Sequence, residues 1–201
     1  SKRPTREEMS VPGNYKKQDT IEEYINRELP LAHNKQALDS TRGELVCIGV
    51  AVGDDPVEVL YRNTSEKELM EQFNAWLTDK GIHELTQVYW IGGNIEGFDL
   101  PWILQRSWKY KLPLITGLIP TRKYDDRIVD IIRIFSGTDT QKKHSVDTIA
   151  KFFEIKGKEG MSGEEVPQAY LDGRHEEIAA YCGRDVDIER EIARRLAPWI
   201  W

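Results

Sequence analysis

The stretch Gly93-Asn94-Ile95-Glu96-Gly97-Phe98-Asp99-Leu100-Pro101 decides how this chain is read. It follows the apolar, β-branched run Val88-Tyr89-Trp90-Ile91, which predicts a buried strand. It ends in Pro101, which fits the first turn of a helix because its missing N–H costs little there. Asp99 therefore falls where a strand turns into a helix. An acid at that point is explained by capping and by the helix dipole alone. A second carboxylate motif, Tyr181-Cys182-Gly183-Arg184-Asp185, lies near the C-terminus. Its Tyr181 and Asp185 are spaced i, i+4, so a helix presents both on one face. Taken singly, that pair also fits a plain surface hydrogen bond.

Outward from these motifs, an α/β order emerges. Residues 45–52 form a continuous apolar run, as in a strand covered on both faces. Residues 57–61 alternate as a neighbouring strand, after a turn at Gly53-Asp54-Asp55-Pro56. Ser65 with Glu68 three residues on predicts a capped helix, with Leu69, Phe73, Trp76 and Leu77 inward and Gly81 closing it. Trp102, Ile103, Leu104 and Trp108 lie on the helix after Asp99, which is expected to end near Leu112-Pro113. Residues 128–135 read as either a short strand or a helix start, with Asp130 inside them. Helices are expected over 145–153, 164–171 and 174–196, and a loop over 156–163. In the polar segment 1–44, Thr20 and Glu23 predict a capping box at a helix start. The expected organisation is one domain over 1–201, with 1–44 as a polar N-terminal segment and 45–201 as its core.

Composition narrows the classes. The 201 residues are 39% hydrophobic and 31% charged, ordinary for a chain that buries a core. No apolar run approaches 18 residues, so no transmembrane helix and no membrane partner are expected. The N-terminal residues are polar, unlike a signal peptide. Cys47 and Cys182 are too few for a disulfide scaffold; buried thiols and a reducing, cytoplasmic compartment are expected. The formal charge is −6, but residues 105–158 hold 12 Lys and Arg against 6 Asp and Glu. Such a basic middle is either a phosphate-binding face or a solvated surface.

Asn94, Phe98 and Asp99 make the pattern Asn-x3-Phe-Asp, and Tyr181 with Asp185 makes Tyr-x3-Asp. The ordered pair resembles the second and third motifs of the DEDDy-type 3′–5′ exonucleases, in the branch related to the proofreading domain of family-B DNA polymerases. Phe98 to Arg106, Asp130, residues 145–153, Gly157-Lys158, Met161-Ser162-Gly163 and residues 181–186 share that likeness, which spans most of 12–196.

The resemblance implies a ribonuclease-H-like fold, a mixed sheet flanked by helices. It also implies a two-ion phosphodiester hydrolase using Mg²⁺ or Mn²⁺ about 3.5–4 Å apart. Hard cations favour carboxylate oxygen, which suits Asp as ligand. By the resemblance, Asp185 and Asp99 ligate metal, and Tyr181 positions the attacking water. Asn94 holds either the terminal nucleotide or the turn. Phe98 and Trp102 offer a stacking surface or pack the core. Lys156 and Lys158 contact phosphate or sit in a solvated loop. The implied substrate is nucleic acid, with single-stranded DNA 3′ ends foremost, and a replication or repair partner is left open.

A first motif, Asp-x-Glu on a first central strand, completes the family pattern, and no Asp-x-Glu precedes Leu45. The first central strand is thus expected to be absent from these 201 residues. The runs at 45–52 and 88–92 are then expected not to pair directly with each other. The alternative reading is a catalytically inactive nucleic-acid-binding or scaffolding protein that keeps the fold.

Overall fold

A computed structural model describes residues 5–83, 86–122, 124–138, 144–157 and 160–200. The chain forms two compact units, Ser1–Glu44 and Leu45–Trp201. In the first, a 3₁₀ turn at Arg6–Glu8 precedes helix α1, Gln18–Ala37. The Thr5 N–H donates to Glu8 Oε2 at 2.9 Å, and the rings of Tyr15 and Tyr24 lie 5.2 Å apart. Helix α1 starts two residues before Thr20, so Thr20 lies inside the helix and does not cap it. Asp19 stands in the first turn instead, where a negative charge complements the exposed N–H groups.

The second unit opens with β1, Cys47–Val50, paired antiparallel with β2, Glu58–Tyr61, in the register Cys47↔Tyr61. Ser65 caps α2, Glu66–Asp79, by accepting from the Glu68 N–H at 3.1 Å. Leu69, Met70 and Phe73 on its inner face are fully buried. Gly81 ends this segment with φ of +71°, a conformation open to glycine without strain.

Strand β3, Trp90–Gly92, leads through the asparagine turn into α3, Asp99–Tyr110. A separate short helix, α4, Pro113–Leu118, follows, with Pro113 at its first position. Strand β4, Ile128–Asp130, runs parallel to β3 in the register Gly92↔Asp130. Helix α5, Ile131–Ser136, follows at once, capped by Asp130. Residues 128–135 are therefore strand and helix in turn. Three helices finish the unit: α6, Val146–Phe152, α7, Val166–Leu171, and α8, His175–Ile200.

Among the described residues, β1 pairs only with β2 and β3 only with β4. The runs at 45–52 and 88–92, expected from sequence not to pair directly, do not pair among these residues, and the strands form two two-stranded sheets here. Helix α8 packs against β1, β2 and β3, so one helix carries its side chains to both sheets. The architecture is mixed α/β with small sheets and many helices. Among the described residues, no helix is long and apolar enough to cross a membrane.

Candidate active site

The site begins with the turn that holds Asp99. Asn94 has φ of +58°, the left-handed region that Asn tolerates better than most residues. Its carbonyl accepts from the Gly97 N–H at 3.0 Å and the Phe98 N–H at 2.9 Å. Its Oδ1 lies 2.7 Å from where a Cβ on Gly97 would sit, so a side chain at 97 would displace the Asn94 amide. Asn94 therefore builds the turn, one of the two roles open to it from sequence.

Asp130 fastens this turn to the end of β4. Its Oδ1 accepts from the backbone N–H of Asn94 (3.2 Å), Ile132 (3.1 Å) and Arg133 (3.1 Å). Its Oδ2 accepts from Glu96 N–H at 3.3 Å. Asp130 is buried and does two jobs at once, capping α5 and anchoring the loop that presents Asp99. The parallel register explains why it can, since Gly92 and Asp130 end their strands side by side.

Asp99 is the first residue of α3. Its side chain keeps solvent access, yet protein atoms crowd the carboxyl group. Desolvation pushes its pKa up to about 6, against a lowering hydrogen bond from its own backbone N–H. Repulsion from Asp130 and Asp185 adds to the rise. Asp99 and Asp185, 86 residues apart in sequence, thus come into one electrostatic neighbourhood.

The far end of α3 is held by a buried carboxylate. Glu66, the first residue of α2, accepts from Arg106 Nε at 2.5 Å, the Tyr110 hydroxyl at 2.7 Å and the Leu45 N–H at 2.8 Å. Lys109 Nζ lies 3.2 Å from it. Desolvation opposes ionisation of Glu66, but the Arg106, Leu45 and Tyr110 hydrogen bonds win and hold it below the usual carboxylate range. Both Glu66 and Arg106 are 5% exposed, so the pair fixes the helix that begins at Asp99.

On α8, Tyr181, Asp185 and Glu189 recur every four residues along one face. Asp185 is partly buried, with its Oδ1 shielded from solvent. The Glu189 carboxylate oxygens lie 3.2 Å and 3.0 Å from where Cβ atoms on Gly92 and Gly93 would sit. Gly93 also faces Val146 Cγ2, at 2.3 Å from the same point. Glycine at 93 therefore lets α6, α8 and the turn close on one another. Tyr181 packs beside Met161, Ala169 and Ile178, and its hydroxyl lies 3.5 Å from a would-be Cβ on Gly163. Glu189 was not singled out from sequence; its i, i+4 spacing from Asp185 is the signal that marks it.

Phe98 and Trp102 separate. Trp102 is buried, whereas Phe98 is 36% exposed on the turn beside Asp99, with ring centroids 5.8 Å apart. Lys158 lies outside the described residues. Lys156 borders an open depression of about 510 Å³ with Asp147, Lys151, Gly157, Met161 and Ser162. Within it, Lys151 is paired with Asp147 at 2.6 Å.

Asp99 and Asp185 supply only carboxylate oxygens, the donor chemistry of Mg²⁺ and Mn²⁺. Two such groups that repel each other fit a divalent cation in kind, because a cation between them replaces repulsion with attraction. Among the described residues no further His, Cys, Asp or Glu joins them in a ready-made metal-binding group of three or more.

These features converge on an exonuclease-type domain. The chain belongs to the family of predicted 3′–5′ exonucleases related to the exonuclease domain of PolB, whose family model matches residues 46–188. It is also similar to a DNA polymerase of Red sea bream iridovirus, 23% identical over 194 residues. That match takes in 79% of this chain and 19% of the polymerase, so the chain spans about a fifth of its relative's length. The family relation implied by the paired motifs is thereby shown, and with it a link to nucleic-acid hydrolysis at the level of the family.

Proposed function

We propose that this chain is a metal-dependent 3′–5′ exonuclease acting on DNA, with single-stranded 3′ ends as its preferred substrate. What supports the reading is the family match over residues 46–188, together with the mutual repulsion of Asp99 on the β3–α3 turn and Asp185 on α8. Asp99 and Asp185 would hold Mg²⁺ or Mn²⁺, two ions in the complete site, and the ions would supply water activation and charge neutralisation at the phosphoryl group.

The remaining roles belong to the chain's own side chains. Tyr181, one turn before Asp185, orients the attacking water through its hydroxyl. Phe98, exposed next to Asp99, stacks on the terminal base. Asp130 and Asn94 keep the turn in shape by the hydrogen bonds described above. Lys158 contacts the phosphate backbone. The domain is residues 45–201 of ribonuclease-H-like descent, preceded by the segment 1–44.

The test is a 5′-labelled single-stranded DNA oligonucleotide incubated with the full-length natural chain and Mg²⁺ or Mn²⁺. The expected product is a ladder that shortens from the 3′ end and is abolished by chelator and by a 3′-terminal phosphorothioate. Binding without shortening supports the inactive-binder reading instead. Shortening that persists in a chain carrying both Asp99→Ala and Asp185→Ala refutes the assignment of the site.

A further inference from the structure

Two side chains that the proposed reaction does not use lie against each other beneath the site. Cys47 is the first residue of β1, and Gly49 follows two positions later, so both face the same side of the strand. A Cβ on Gly49 would sit 2.8 Å from Cys182 Sγ and 2.8 Å from Val186 Cγ2. The Cys182 sulfur thus occupies the space that a side chain at 49 would fill. Cys47 stands at the neighbouring same-face position of β1, and the two thiols influence each other's ionisation. Both are free cysteines, partly buried rather than sealed in the core. Around them stand Tyr61, directly across the ladder from Cys47, and Tyr181, adjacent to Cys182 in the chain.

We propose that Cys47 and Cys182 are a redox-active pair that closes to an intramolecular disulfide in the presence of a peroxide, stapling β1 to α8. The pair is polarised: the neighbouring Cys182 holds the Cys47 thiol below its usual range, while Cys47 and burial push the Cys182 thiol up. Cys47 is the nucleophile and Cys182 the resolving thiol. The Cys47 thiolate attacks one oxygen of hydrogen peroxide, the O–O bond breaks, and the departing hydroxide takes a proton to leave as water. The product is a sulfenic acid on Cys47. The Cys182 sulfur then attacks the Cys47 sulfur, the S–O bond breaks, and the oxygen leaves as a second water with the Cys182 proton. Both sulfurs are oxidised and the peroxide is reduced to two waters; a dithiol reductant reverses the change by exchange.

The consequence lies in where Cys182 stands. It directly follows Tyr181 and precedes Asp185 by three residues, on the turn of α8 that carries both. A disulfide sulfur pair is about 2.05 Å apart, closer than two unbonded thiols can approach. Closure therefore draws that turn of α8 toward β1, and Gly49, lacking a Cβ, leaves the approach open. The inference rests on the packing of β1 against α8 and not on the exonuclease reading.

The experiment uses the full-length natural chain, treated with hydrogen peroxide, alkylated with iodoacetamide, digested without reductant and analysed by mass spectrometry. The expected result is a peptide pair joined through Cys47 and Cys182, lighter by two hydrogens than the sum of the free peptides and separated again by dithiothreitol. In Cys182→Ser the linked pair is lost, and dimedone traps a sulfenic acid on Cys47. The proposal is overturned if both cysteines of the peroxide-treated wild-type chain are alkylated. It is equally overturned if Cys47 proceeds to sulfinic acid with no linked pair, or if the linkage joins two chains and scales with protein concentration. Circular dichroism of the treated wild type confirms that the linkage forms in the folded chain.

Discussion

Replacing Asp99 by Asn separates a metal ligand from a helix cap. In the fold, Asp99 titrates at about 6, against an ordinary 3.8. Below 3.8 the carboxyl is protonated in both folded and unfolded chains and contributes no difference. Between 3.8 and 6 the folded chain binds more protons, so stability falls as pH rises through that window. Above 6 the full cost of holding an ionised Asp99 is present. Solvent access screens this cost to about 1 kcal/mol. Asp99→Asn removes it, so the variant is expected to melt about 2–4 °C higher than wild type at pH 8. At pH 4 the two are expected to melt nearly together. The assay is thermal unfolding by circular dichroism at both pH values in the presence of chelator. Adding Mn²⁺ at pH 8 is expected to raise the wild-type midpoint and leave the variant unmoved. A variant that melts below wild type at pH 8 without metal refutes the reasoning. That result would mean the ionised carboxylate stabilises the helix end as a cap.

Three further outcomes follow from the packing. Gly93→Ala places a methyl 2.3 Å from Val146 Cγ2 and 3.0 Å from Glu189 Oε1, and is expected to cost about 1–3 kcal/mol in urea unfolding. Glu66→Ala leaves buried Arg106 without its partner and is expected to cost about 3–5 kcal/mol by the same measurement. Phe98→Ala is expected to leave the melting temperature within a degree or so, because the ring is already partly solvated. Its affinity for single-stranded DNA, read by fluorescence anisotropy, is expected to weaken by about 1–3 kcal/mol.

Local signals were legible in the sequence where the physics is local. Ser65 and Ser145 cap the helices expected of them because a side-chain oxygen needs only the N–H three residues on. Thr20 had the same pattern, yet α1 begins earlier, since Gln18 and Asp19 also accept helical geometry. The helix after Asp99 was expected to end near Leu112-Pro113, and the separate helix α4 beyond it was not foreseen. Pro113 does end one helix, but it also starts another, and both roles look alike in one dimension. Residues 128–135 stayed ambiguous because β-branched residues serve either element, and the change comes at Asp130, whose carboxylate caps the helix.

The site was legible as two motifs but not as a place. Asp185 comes within electrostatic reach of Asp99 because α8 packs on both sheets, an arrangement that no spacing encodes. Asp130 was marked in sequence only by its place in 128–135 and by the family likeness; its four backbone donors, and so its hold on the Asn94 turn, depend on the β3–β4 register. Phe98 and Trp102 were weighed together, but Phe98 precedes the first residue of α3 with non-helical backbone and stays half-exposed, while Trp102 lies within the helix and is buried.

The most direct test of the central claim is a double-mutant cycle on exonuclease rate. Release of 3′ nucleotides from single-stranded DNA would be measured with Mn²⁺ for wild type, Asp99→Asn, Asp185→Asn and the double variant of the full-length natural chain. If the two carboxylates serve one site, each single change removes activity on the order of 10³-fold and the double change removes little more. Single variants that keep near wild-type rates, or a double variant whose loss is the product of the two, would contradict a shared site.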